Sequence, residues 1–107
     1  MAAETPVLDT LAEINRSSIE HSHLMPRELM LARIAALAAV DAPPASYLAN
    51  LGAAADSGIT EQDVQDVLVA TAPVVGTARV VAAAGNLTRA LGFAIAVAEE
   101  DTATSGA

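Results

Sequence analysis

An all-α fold of about five helices is what this sequence predicts, and three observations predict it. Alanine fills 26 of the 107 positions, while Phe and Tyr occur once each and Trp not at all. Such a chain favours helix, and its small side chains fill a core only if the helices approach closely. Apolar residues recur at three- and four-residue spacings, as in Val7, Leu8, Leu11 and Ile14, the period of a helix with one apolar face. Proline and glycine then punctuate the chain where helices start and stop, with Pro6, Pro26 and Pro44 at first-turn positions and Gly58 and Gly76 at ends.

The elements follow in order. Thr5-Pro6 opens a first helix over roughly residues 6–22, with Thr5 as N-cap and Val7, Leu8, Leu11 and Ile14 on its buried face. The chain turns at "HSHLMPREL", and Pro26 starts a second helix with Glu28 near the positive end of its dipole. From Arg27 to Val40 this helix is almost wholly apolar, which predicts a central helix buried around most of its circumference. Pro43 and Pro44 are excluded from a helix interior but fit the first turn of a third helix, which runs through Tyr47, Leu48 and Leu51 to Gly58. Thr60 caps a fourth helix with Asp63 three residues on in a capping-box arrangement. Val64, Val67 and Leu68 form its buried stripe, and Pro73 ends or kinks it before Gly76. A long fifth helix covers about Thr77 to Glu100, leaving residues 101–107 as a disordered acidic tail.

Length and charge bound the function. The 107 residues are one domain, residues 1–107, whose modest core would be extended by association with other copies. There is no cysteine, so disulfides, thiolate metal sites and cysteine nucleophiles are excluded. A formal net charge of −8 with five basic side chains argues against nucleic acid and anionic membranes as partners. The apolar runs are broken by Arg33, Asp41, Asn86 and Arg89 before any reaches the length of a membrane span. The N-terminal stretch lacks a basic region followed by an apolar one, so a cytoplasmic protein is expected.

The order and spacing of several segments carry a resemblance. These are the Arg27-Glu28 pair opening the second helix, the "GITEQD" segment with Gly58, Ile59, Thr60 and Asp63, and the Val67-Leu68 to Gly76 segment before an alanine-rich helix. Across roughly residues 24–93 the chain resembles the carboxymuconolactone decarboxylase and alkylhydroperoxidase-D superfamily. The resemblance implies an all-helical fold assembled as a trimer or hexamer, with the site near subunit contacts. It also implies, for the peroxidase branch, a glutamate followed by C-x-x-C and a histidine, and for the decarboxylase branch a histidine with acidic residues nearby.

This chain departs from that pattern. Counting forward from Glu28 at the family's spacing puts the cysteines at Val40 and Pro43 and the histidine at Tyr47. Counting back from Gly58 puts the second cysteine at Ser46 and the histidine at Asn50. Neither count meets a cysteine or a histidine, so family-type peroxidase chemistry is excluded.

The expected function is therefore a binding module for a small apolar or carboxylated ligand, or an oligomeric scaffold. The alternative is a cofactor-free decarboxylase or isomerase acting on a lactone or enolisable acid, with Glu28 as base and Tyr47 as hydrogen-bond donor. Arg33, Ser46 and Asn50 are candidate ligand contacts. Each has a structural reading beside the functional one: Glu28 as a first-turn acid, Tyr47 as a plug under the proline corner, Arg33 in an ion pair with a carboxylate, Ser46, Asn50 and Asn86 as helix-bonded polar groups. His21 and His23, two residues apart on one helix, point in different directions and suggest no metal site; no cofactor is expected.

Overall fold

The structure, a computed structural model, describes residues 5–105, with side chains through Gly92. It is all-helical: α1 (Pro6–His21), α2 (Pro26–Ala39), α3 (Pro44–Asp56), α4 (Glu61–Val75) and α5 (Thr77–Ser105). Helix α2 packs on α3, α4 and α5, and α5 packs on α3 and α4. Helices α3 and α4 bring no Cα within 8 Å of each other. The pair α2–α5 is thus a floor on which α3 and α4 stand as separate walls.

The core is built of alanine, as a chain with two aromatic residues demands. Ala38 and Ala83 are fully buried beside Leu68, with Val80 and Leu87 packed against them. Ala42, Tyr47 and Ala90 make a second cluster with Leu37, Leu48, Leu51 and Leu87 around it. A methyl at each helix contact lets the backbones approach closely. The expectation that α2 is buried around most of its circumference is not met. Met30, Ile34 and Ala38 alone are buried, because α3, α4 and α5 cover one side and among the described residues no helix packs closely on the other.

Local chemistry sets the corners. Helix α2 stops with Asp41 at φ 56, where its N–H donates to the Ala38 carbonyl and the Ala42 N–H reaches back to Leu37. Helix α3 stops the same way one corner later, with Gly58 at φ 79, Gly58 N–H to Ala55 and Ile59 N–H to Ala54. Both are left-handed stops that satisfy the last carbonyls. After the first, Pro43 serves as N-cap and Pro44 as the first helical residue of α3, which accounts for the double proline. Helix α4 opens with the expected reciprocal cap, Asp63 N–H to Thr60 Oγ1 at 3.1 Å and Thr60 N–H to Asp63 Oδ2 at 2.8 Å. It tolerates Pro73 inside its last turn and ends before Gly76 at φ 91.

Two further features differ from the reading of the sequence. Helix α5 runs to Ser105, past the end expected near Glu100; residues 106–107 lie outside the described residues. Helix α1 buries nothing. Val7, Leu8, Leu11 and Ile14 are 56–70% exposed, and no Cα of α1 lies within 8 Å of another helix among the described residues. What holds α1 is a side chain: the Arg33 guanidinium donates to Asn15 Oδ1 and, at 3.3 Å, to Ser18 Oγ. Asn15 and Ser18 share a helical face with Leu8 and Leu11 at spacings of three and four. The apolar seam therefore begins at the body and runs outward along α1 with no partner among the described residues.

Candidate functional site

The open diagonal between α3 and α4 is a cavity of about 670 Å³ that opens to solvent along one side. Its floor is Ile34 and Leu37 from α2 with Ala84, Leu87 and Leu91 from α5. One wall is the inner face of α3, with Tyr47, Asn50, Leu51 and Ala54, and the other is α4, with Val64 and Leu68. Polar groups are few and lie at Asn50, Thr60, Glu61, Gln65 and Thr88. This size and apolar lining are those of a small-molecule site.

Among the described residues, Tyr47 is the one in which chemistry and burial coincide. It is 1% exposed, and its hydroxyl is buried without a hydrogen-bond partner. Burial raises the phenol above its ordinary pKa, and the Asp41 carboxylate adds to the rise, so at neutral pH the group is a proton donor. A buried hydroxyl with nothing to bond is costly to the fold and is a usual mark of an incomplete site.

The other sequence candidates do not gather around it. Glu28 is exposed and its carboxylate accepts the Met25 N–H at 2.9 Å, capping α2; it is not among the residues lining the cavity. Arg33 meets Asn15 and Ser18, two neutral partners, where an ion pair with a carboxylate was expected. It lines a separate shallow groove of about 240 Å³ beside α1, with Ser18, Ser22 and Leu29. Asn50 reaches the cavity but donates Nδ2 to the Ser46 carbonyl one turn back. Ser46 is half-buried on α3 and is not a cavity residue. Asn86 ties α5 to the corner through the Ala42 carbonyl, and Arg79 caps α2 through the Ala39 carbonyl. His21 Nδ1 donates to the Ser17 carbonyl of its own helix. No cluster of three metal-ligating side chains occurs among the described residues.

A residue that sequence reasoning passed over organises the other end. Arg27 forms a two-pronged ion pair with Asp63, at 2.8 Å and 2.7 Å, and also donates to the Gly58 carbonyl at 3.0 Å. The Arg27 hydrogen bonds first, and the Thr60 N–H second, hold the Asp63 carboxyl well below the usual carboxylate range. Part of the signal was present: Glu28 is used by the cap of α2, which leaves Arg27 beside it without a partner close in sequence, whereas Asp63 had already been assigned to the cap of α4. The clamp that Arg27 and Asp63 form ties the start of α4, and the Gly58 corner before it, to the start of α2.

The architecture thus defines a small all-α protein with an apolar cleft between two helices, α3 and α4, that rest on α2 and α5. A family model described as Carboxymuconolactone decarboxylase family matches residues 5–89, and the chain belongs to that family. Neither curated proteins nor solved structures give a match. No helix among the described residues is long and apolar enough to cross a membrane.

Proposed function

We propose that this family member is a small-molecule-binding module whose ligand occupies the cavity between α3 and α4. The observation that carries the reading is the cavity itself, about 670 Å³ between α3 and α4 with an apolar lining. The enzyme alternative loses its support because its base and its donor are apart: Glu28 is an exposed helix cap, whereas Tyr47 belongs to the cavity. The test is binding of the uncharged dye Nile red, followed by its fluorescence. Ala55 lines the cavity with its side chain exposed, so Ala55→Trp should fill the space and abolish cavity binding while the far-ultraviolet circular dichroism is unchanged. Equal dye binding by wild type and variant contradicts the reading.

Self-association is a second reading, favoured by the exposed seam of α1. Sixteen residues of helix span about 24 Å at 1.5 Å per residue, and in an antiparallel pair Leu11 would face Ile14 while Asp9 would face Arg16 of the second copy. That pairing buries the seam and matches opposite charges. Leu11→Glu should then lower the mass measured by light scattering on a sizing column. A mass unaffected by the substitution, or a monomeric wild type, rules this interface out.

A further inference from the structure

Between α1 and α2 lies a second recess, the shallow groove of about 240 Å³, which shares no lining residue with the cavity. Its α2 side is a single stripe, since Leu29, Ala32, Arg33 and Ala36 recur at three- and four-residue spacings. Ser18 and Ser22 face that stripe from the end of α1, and Leu24 closes the groove at the turn.

The one charged residue in this lining is a cation. The half-buried Arg33 donates through Nη1 to Asn15 Oδ1 and through Nη2 to Ser18 Oγ. Both acceptors are neutral, so they orient the guanidinium without offsetting its charge. A guanidinium has five N–H groups, and three of them are left after these two bonds. The chain carries 13 acidic residues, yet the salt bridge found among the described residues joins Arg27 to Asp63, and no carboxylate there reaches Arg33. The serines add donors of the same polarity. Ser22 Oγ accepts the Leu24 N–H at 3.1 Å and Ser18 Oγ accepts from Arg33, which leaves each O–H to donate.

An oriented guanidinium fork matches the two oxygens of a carboxylate. The leucines and alanines beside it would cover a short apolar body and remove it from water. A volume of about 240 Å³ is that of about eight water molecules, the scale of benzoate and too little for a long-chain acid. We propose that the groove between α1 and α2 is a ligand site separate from the cavity, which takes a small apolar monocarboxylate on Arg33 with the Ser18 and Ser22 hydroxyls as further donors.

The probes are benzoate, its uncharged isostere benzamide, and acetate, which keeps the carboxylate and lacks the ring. Each is titrated into the full chain at neutral pH and followed by amide shifts in nuclear magnetic resonance. Benzoate should move the amides of Ser18, Ser22, Leu29 and Ala32 and leave those of Leu68 and Leu87 in place. It should bind at least about tenfold tighter than benzamide, the factor that a hydrogen bond to a charged group corresponds to, and tighter than acetate. Arg33→Met should bring benzoate level with benzamide. Because Arg33 also ties α1 to the body, Ser22→Ala supplies a variant that keeps that tie; it should weaken benzoate by about threefold. Equal binding of benzoate and benzamide, shifts confined to the cavity, or benzoate binding that survives both substitutions overturns the proposal. Acetate binding as tightly as benzoate overturns the part given to the apolar stripe. A carboxylate supplied by an acidic side chain of a second copy is told apart by mass. With a free ligand, the mass from light scattering on a sizing column is the same with and without benzoate. A mass that falls as benzoate is added assigns Arg33 to an interface and overturns the free-ligand site. None of these measurements uses Nile red, so the groove and the cavity can fail separately.

Discussion

Replacing Tyr47 by phenylalanine should stabilise the ligand-free protein, although the residue is among the most buried in the chain. The ring stays and keeps its contacts with Ala42, Ala90 and the surrounding leucines; what leaves is a hydroxyl with no partner. An unsatisfied buried polar group costs about 1–3 kcal/mol, part of which is offset by the small void that its removal leaves, so a net gain of about 1 kcal/mol is expected. For a domain of this size that is a rise in Tm of about 4–8 °C, read by far-ultraviolet circular dichroism. Tyr47→Ala removes the ring as well and should cost about 3–5 kcal/mol, a large share of the stability of such a domain. Alkaline pH supplies a second arm. The phenol's pKa is raised in the native state by burial and by Asp41, so the unfolded chain releases its proton first. The contribution is intact below about pH 10 and is lost as pH rises above it. The Tyr47→Phe protein lacks that loss, and its advantage should widen above about pH 10. Since the chain has one tyrosine, tyrosinate absorbance reports this group alone. A lower Tm in Tyr47→Phe at neutral pH would mean that the hydroxyl has a structural partner and would refute this reasoning.

Three other outcomes follow from the corners and the core. Asp63 has its pKa depressed by Arg27 and the Thr60 N–H, so its contribution is complete above the ordinary carboxylate value and is lost as pH falls through the lower native one. Asp63→Asn should therefore lower Tm at pH 7, and the difference from wild type should shrink as pH is taken below about 4; a pH-independent difference would contradict the clamp. Asp41 holds a left-handed conformation at φ 56 that glycine adopts without strain, so Asp41→Gly should gain about 0.5–1 kcal/mol in denaturant titration, whereas a loss would show that the carboxylate does more than end α2. Ala83, at 0% exposure among α2, α4 and α5, has no room to grow. Ala83→Leu should cost about 1–3 kcal/mol from overpacking, and a neutral result would mean that the helices are less closely packed than described.

Much of the fold was legible because helix punctuation is local. Proline at first turns, glycine at ends and the Thr60–Asp63 reciprocal cap all act within a few residues, and the helices begin and end close to where those signals stand. What depended on distant parts of the chain was harder to read. The periodicity of α1 is that of a helix packed on a core, yet the other four helices close without it, and its seam is left open. Arg33 looked in need of a carboxylate because its neighbours in sequence are apolar, but it lies at the edge of the body beside the polar part of α1. For the site, the corner that replaces the family's cysteine and histidine positions did point to Tyr47 and Asn50, and both reach the cavity. Glu28 did not follow, since a glutamate three residues after a helix's N-cap is used by the cap. The aliphatic lining at Ile34, Leu37, Val64 and Leu68 carries no chemical signature that would set it apart from an ordinary core.

The most direct test is where a ligand's protons lie. With Nile red bound, nuclear Overhauser contacts should run from the dye to the Tyr47 ring and to the methyl groups of Ile34 and Leu68, which line one cavity across α2, α3 and α4. Contacts confined to Val7, Leu11 and Ile14 on the exposed seam of α1 would place the ligand outside the cavity and contradict the account.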